Sequence, residues 1–104
     1  MARISWTSQA LNDLQAIGDF IARDAPAFAQ AFVDKVFETV ERLENFPRSG
    51  RIVPEINQDN VREIILGSYR IVYLLSSDEV DILTVFHASR LLNASDLPSN
   101  VNDF

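Results

Sequence analysis

Arg51, Arg62, Arg70, His87 and Arg90 are the side chains of this 104-residue chain whose types and spacing could do chemistry. They stand in four short pieces: Pro47-Arg48-Ser49-Gly50-Arg51, Val61-Arg62-Glu63, Tyr69-Arg70-Ile71-Val72-Tyr73 and Val85-Phe86-His87-Ala88-Ser89-Arg90. Guanidinium groups can bear the charge that develops on a phosphoryl group, or grip the surface of another macromolecule. An imidazole titrates near neutrality and can serve as a general base. Metal-independent RNA cleavage needs a base for the 2′ hydroxyl, cations for the phosphoryl oxygens and an acid for the leaving oxygen. Arginines meet the second need only, so a nuclease reading rests on Arg70, His87 and Arg90, and a target-binding reading on all five residues. Each residue also has a structural alternative. Arg70 and Glu63 fall on adjacent strands and can pair across them. Arg51 and Arg62 can be solvated surface charges, and His87 can simply end a strand and bond to backbone or a carboxylate.

The elements that must position these residues follow from apolar periodicity. Arg3 to Thr7 reads as a brief first strand, and Thr7 or Ser8 as a helix cap. Ala10, Leu11, Leu14, Ile17, Ile21 and Ala22 recur at spacings of three and four, which predicts an amphipathic helix to about Arg23. Asp24-Ala25-Pro26 interrupts it, because proline suits only the first turn of a new helix. In that second helix Phe28, Phe32, Val36, Val40 and Leu43 form an apolar stripe, which Ala29, Val33, Phe37 and Phe46 widen and which is expected to face the sheet. Pro47 and Gly50 end the helix; Ile52, Val53 and Ile56 make a weak extended piece around Pro54. Strands are expected at 61–66, 69–75 and 80–87, joined by turns at Gly67-Ser68 and Ser76 to Glu79.

Strand, two-helix hairpin and then a three-stranded meander give an α+β domain spanning 1–104, with the helices on one face of a mostly antiparallel sheet. Alternation puts Ile71 and Tyr73 on one face and Val72 and Leu74 on the other, with Ile82 opposed to Leu83 and Val85. Two helices cover one face only. The other is expected to be left open to a partner, unless the segment 91–104 folds back over it. A partner would add an amphipathic helix or a strand, meeting Leu11, Leu14, Ile52, Ile64, Leu66, Val72 or Leu74.

Composition limits the function further. The chain is 47% hydrophobic with 3 Gly and 4 Pro, as in an ordinary globular protein. It has no Cys and a single His, so disulfides are excluded and no zinc site, other metal or cofactor is expected. No apolar run is long enough for a membrane span, and no basic and apolar leader opens the chain, so a cytoplasmic protein with no membrane partner is expected. Fifteen acids against nine bases give a net charge of −6, the wrong sign for strong direct nucleic-acid binding. No phosphate-binding glycine loop, Ser-His-Asp set or acidic metal cluster occurs, and Glu38, Glu41 and Glu44 form a solvated stripe.

The ordered motifs, together with Val53-Pro54-Glu55, resemble the RelE/ParE superfamily of toxins from type II toxin-antitoxin modules over nearly the whole chain. The resemblance is closest to the ParE-like branch, often described as plasmid stabilisation proteins. It implies a toxin held inactive by a cognate ParD-like antitoxin in a hetero-oligomer. The ParE-like branch is associated with inhibition of DNA gyrase by binding, without catalytic residues. The RelE-like branch cleaves messenger RNA on the ribosome, with arginines at the positions of Arg70 and Arg90. Its lysine pair falls here on Val61 and Glu63, and its tyrosine near Asp96, so the resemblance implies gyrase as the target in preference to the ribosome. A partner-binding remnant without toxicity is the third alternative.

Overall fold

In the computed structural model, which describes residues 1–98, five strands and two helices follow the expected order. They are β1 (Arg3–Trp6), α1 (Ser8–Ala22), α2 (Pro26–Glu41), β2 (Arg51–Ile52), β3 (Val61–Leu66), β4 (Tyr69–Leu75) and β5 (Glu79–His87). Helix α1 starts where Thr7, in extended conformation, accepts the Ala10 N–H on its hydroxyl oxygen at 3.1 Å. The same hydroxyl donates to the Ile82 carbonyl at 2.8 Å, so the cap also anchors the helix to β5. Pro26 opens α2, and its last turn tightens into a 3-10 turn at Arg42–Glu44.

The sheet order is β1-β5-β4-β3-β2. All neighbours are antiparallel except β1 and β5, which run parallel because the helical hairpin carries the chain across between them. Gly67, at φ 57°, makes the two-residue turn between β3 and β4, a left-handed position that glycine adopts without steric cost.

Ala10, Leu14, Val36, Val40 and Leu43 pack against Ile71, Tyr73, Val80, Ile82 and Val85 to form the helix-side core. The aromatic stripe is narrower than its spacing suggests: Phe32 is half-buried, whereas Phe28 is 75% exposed and Phe37 and Phe46 are also exposed. Phe28 stands in the first turn of α2 and Phe46 beyond its end, outside the stretch from Phe32 to Leu43 that packs on the sheet.

The far face of the sheet is not left open. Val53, Val61, Val72, Leu83, Phe86, Leu92 and Leu97 form a second core, with Ile56 and Leu74 packed against it. The loop after β2 supplies Val53 and Ile56, and the C-terminal segment supplies Leu92 and Leu97, so the expected open face is corrected to a covered one. Burying these side chains removes from water an apolar surface that two helices could not reach.

Leu83 and Val85 do not share a face. The pairing steps from Val72↔Thr84 to Tyr73↔Ile82, leaving Leu83 as the extra residue of a β-bulge. That one residue shifts the alternation, sending Leu83 and Phe86 to the second core and Ile82 and Val85 to the helix side. Past Ile82, β1 no longer covers β5, and Asp13 of α1 takes over, accepting from the Thr84 hydroxyl and, at 3.4 Å, from the Val85 N–H.

Candidate interaction site

The strand register decides which of the five functional candidates can meet. Arg51 stands opposite Glu63, and Arg70 opposite Phe86, on the second face. Arg62 stands opposite Tyr73, and His87 opposite Tyr69, on the helix side and at opposite ends of the sheet. The five do not gather into one pocket.

Arg70 is buried and its guanidinium makes four hydrogen bonds. Its Nε donates to Glu63 at 2.6 Å, Nη1 and Nη2 donate to the two oxygens of Glu55 at 2.6 and 2.8 Å, and Nη1 also donates to the Arg90 carbonyl at 3.0 Å. The second oxygen of Glu63 accepts from Arg51 at 2.6 Å. Glu55 in turn accepts the Leu92 N–H at 2.8 Å. The Arg70 bonds, reinforced by the Leu92 N–H, hold the Glu55 carboxyl down at about 2 against the opposing effect of burial. The same bonds push the Arg70 guanidinium above its ordinary value. Two guanidiniums approach the Phe86 ring, Arg70 at 4.9 Å and Arg90 at 5.5 Å from its centre.

Arg70 is therefore removed from the surface candidates: it fastens β4 to β3, to the loop carrying Glu55 and to the C-terminal segment. Arg62 is removed on similar grounds. It keeps 12% of its side chain exposed and donates to the Asp59 carbonyl and carboxylate, and to the carbonyls of Arg48 and Gly50. Asp59, shared with Arg48 at 3.2 Å, has its carboxyl lowered by that pairing first and by Arg62 besides. Sequence spacing brought Glu63 to Arg70 but missed Glu55 and Asp59. The signal for Glu55 was present in Val53-Pro54-Glu55 but named no partner.

His87, Arg90 and Arg51 are exposed. The His87 Nδ1 accepts the Ser89 N–H at 3.2 Å and lies 2.7 Å from the Ser89 hydroxyl. An N–H can only donate, so the neutral ring carries its proton on Nε2, and the nitrogen that could act as base is turned back into its own turn. Arg90 reaches Asp96 at 3.8 Å. Among the described residues no group of three His, Cys, Asp or Glu side chains could hold a metal ion.

The apolar candidates divide between core and surface. Val72 is buried in the second core, which corrects its reading as a contact residue, whereas Leu14 belongs to the helix-side core and also lines the groove between the helices. Ile64, Leu66 and Leu74 are half-buried, and Leu11 and Ile52 are exposed. Two apolar concavities lie on the helix side. One, of about 490 Å³, runs between the helices, with Leu11, Gly18 and Ala22 on α1 facing Ala29, Val33 and Phe37 on α2. A Cβ on Gly18 would meet Val33 at 3.5 Å, an ordinary contact, so the helix spacing there leaves room for a small side chain. The other, of about 380 Å³, lies beside β3, where Phe46 and Arg42 face Ile64, Ile65 and Leu66. Strand β2 covers only Arg62 and Glu63, so this end of β3, paired with β4 on one side, has no strand on its outer edge among the described residues.

Among the described residues no helix is long and apolar enough to cross a membrane. Residues 4–92 match the family model described as ParE toxin of type II toxin-antitoxin system, parDE. The Y4kP protein of Sinorhizobium fredii is 40% identical over 88 residues, 83% of this chain and 88% of that protein. The toxin RelE2 of Caulobacter vibrioides is 33% identical over 92 residues, 88% of this chain and all of that protein. A solved structure, the chromosomal ParDE TA system from P. aeruginosa, superposes with a TM-score of 0.72 at 25% identity, covering 86% of this chain and 98% of that one. Motif order, sheet topology and these similarities agree, and the chain belongs to the ParE/RelE family of toxins from type II toxin-antitoxin systems.

Proposed function

We propose that the protein acts by binding its target, that the target is DNA gyrase, and that a cognate ParD-like antitoxin neutralises it in a hetero-oligomer. The observation that carries this reading is the fate of Arg70. Its guanidinium, on the strand where a nuclease of this family would place a phosphate-binding cation, is neutralised by Glu55 and Glu63 at 2.6 Å. Arg51 shares Glu63, so two carboxylates meet two guanidiniums and the cluster carries no net positive charge for a scissile phosphate. Of the remaining candidates, Arg51 lies on the second face, Arg90 approaches the second-face ring of Phe86, and His87 lies on the helix side, so the imidazole does not converge with the two cations on one phosphodiester.

Antitoxin binding draws on the two apolar concavities. The groove between α1 and α2 suits a helix, and the uncovered end of β3 suits an added strand. A supercoiling assay with purified protein, gyrase and relaxed plasmid tests the target. Inhibition is expected, stoichiometric in toxin and relieved by antitoxin. Unchanged supercoiling together with messenger cleavage on ribosomes would reverse the assignment.

A further inference from the structure

The groove between the helices is lined mostly by apolar side chains, with Gln15, Gln30 and one carboxylate, Asp19, among them and Asp34 beside Gln30. Residues 8–41 carry six acids, Asp13, Asp19, Asp24, Asp34, Glu38 and Glu41, against two bases, Arg23 and Lys35. Neither base serves the groove: Arg23 lies 6.0 Å from the Phe20 ring, and Lys35 pairs with Glu38 at 3.7 Å on the other flank of α2. Asp19 lines the groove from α1. Asp34 flanks it from α2, accepting at 2.9 Å from Gln30, itself a lining residue. Both carboxylates are exposed, and no Lys or Arg lines the groove.

We propose that this groove selects its occupant by charge: it takes an amphipathic helix of the antitoxin whose small or aliphatic stripe is flanked on both sides by Lys or Arg. The proposal rests on the antitoxin reading above and adds the polarity of the partner. An acidic segment of equal hydrophobicity would meet Asp19 and Asp34 with like charge, which steers wrong partners away and slows their encounter. A basic one gains exposed ion pairs on both rims, each weak alone and lost at high salt. The floor supplies area, and the rims supply discrimination.

The test uses two synthetic helical peptides with the same Leu/Ala stripe, one flanked by Lys and one by Glu, titrated onto the protein by fluorescence anisotropy. The Lys peptide is expected to bind about five- to tenfold more tightly at low salt, the sum of two or more surface pairs. That preference should vanish in 0.5 M salt, on the ~4 Å screening length expected there, and in the Asp19→Asn/Asp34→Asn double variant. Leu11→Glu, an exposed position on the groove wall, should abolish binding of both peptides while leaving the circular dichroism unchanged. Equal or tighter binding of the Glu peptide, or a preference that survives the double variant, overturns the charge selection and leaves the docking reading standing. Failure of both peptides to bind, or binding insensitive to Leu11→Glu, overturns the groove as a helix site.

Discussion

Arg70 and Glu55 face each other through two parallel hydrogen bonds of 2.6 and 2.8 Å, and between them they also hold the backbone of Arg90 and Leu92. One bidentate pair thus fastens the C-terminal segment over the second core. Removing Arg70 would leave Glu63 and Glu55 without their main counter-charge. Arg70→Ala is expected to cost about 3–5 kcal/mol, the range for breaking one side of a buried pair. Arg70→Lys should rescue only part of it, because an ammonium cannot reproduce the fork. Urea unfolding of the three proteins checks this, and a loss in Arg70→Ala of under about 1 kcal/mol, as for an exposed pair, would contradict the buried role.

The same carboxylate sets the acid limb of stability. Glu55 is held at about 2 from an ordinary 4.5 by Arg70, so the folded state binds its proton later than the unfolded chain does. Its contribution is complete above pH 4.5 and disappears as pH falls toward 2. Glu55→Gln should therefore lower stability at pH 7 and flatten its dependence between those two values, which melting temperatures in a pH series will read.

Asp81 works with the opposite sign. Burial first, and Glu79 second, raise its carboxyl above the ordinary value, so its ionised form costs the folded state free energy at neutral pH. Asp81→Asn is expected to raise stability at pH 7 and to give a smaller gain at pH 3, where the carboxyl is mostly protonated in both states. Thermal melts at the two pH values separate the outcomes.

Tyr73 binds the turn before β2 from below. Its hydroxyl donates to the Pro47 carbonyl at 2.7 Å and accepts the Gly50 N–H at 3.0 Å. A Cβ on Gly50 would lie 2.6 Å from that hydroxyl and 2.7 Å from the Glu63 carbonyl, contacts that backbone cannot relieve cheaply. Gly50→Ala should destabilise more than Tyr73→Phe, which leaves two backbone groups unpaired at about 1–3 kcal/mol. Burial also raises the Tyr73 phenol, so the hydroxyl stabilises the fold fully below pH 10 and progressively less above it, a loss that Tyr73→Phe will not show.

His87 offers a direct discriminator between the two family activities. It is exposed, with Nδ1 occupied by its own turn. His87→Ala should change stability by under about 0.5 kcal/mol. Gyrase inhibition should persist within about threefold, as for loss of one rim contact. Growth arrest and gyrase inhibition, measured side by side, check this: loss of growth arrest with gyrase inhibition and folding intact would reveal a base.

Much of the fold could be read from residues alone. Helical periodicity from Ala10 to Ala22, Pro26 at a helix start and Gly67 in a two-residue turn each express a local conformational preference, which needs no distant partner. Adjacent strands likewise brought Arg70 and Glu63 together, since a short hairpin fixes their register. The second partner of Arg70 was beyond reach: Glu55 lies on an irregular loop whose path depends on packing Val53 and Ile56 against the sheet. The Leu83 bulge was equally hidden, because period-two alternation carries no mark of an inserted residue, and it alone turns Phe86 toward Arg70.

The sequence by itself determined the order of elements, the helix-side core and the cations available to a site. Tertiary structure decided which of those cations are free, because charge is cancelled by whatever the folded chain places beside it, and Glu55, Glu63 and Asp59 come from separate segments. It also decided that the second face is covered, through Leu92 and Leu97. Neither outcome is encoded in spacing, since both are set by contacts between residues far apart along the chain.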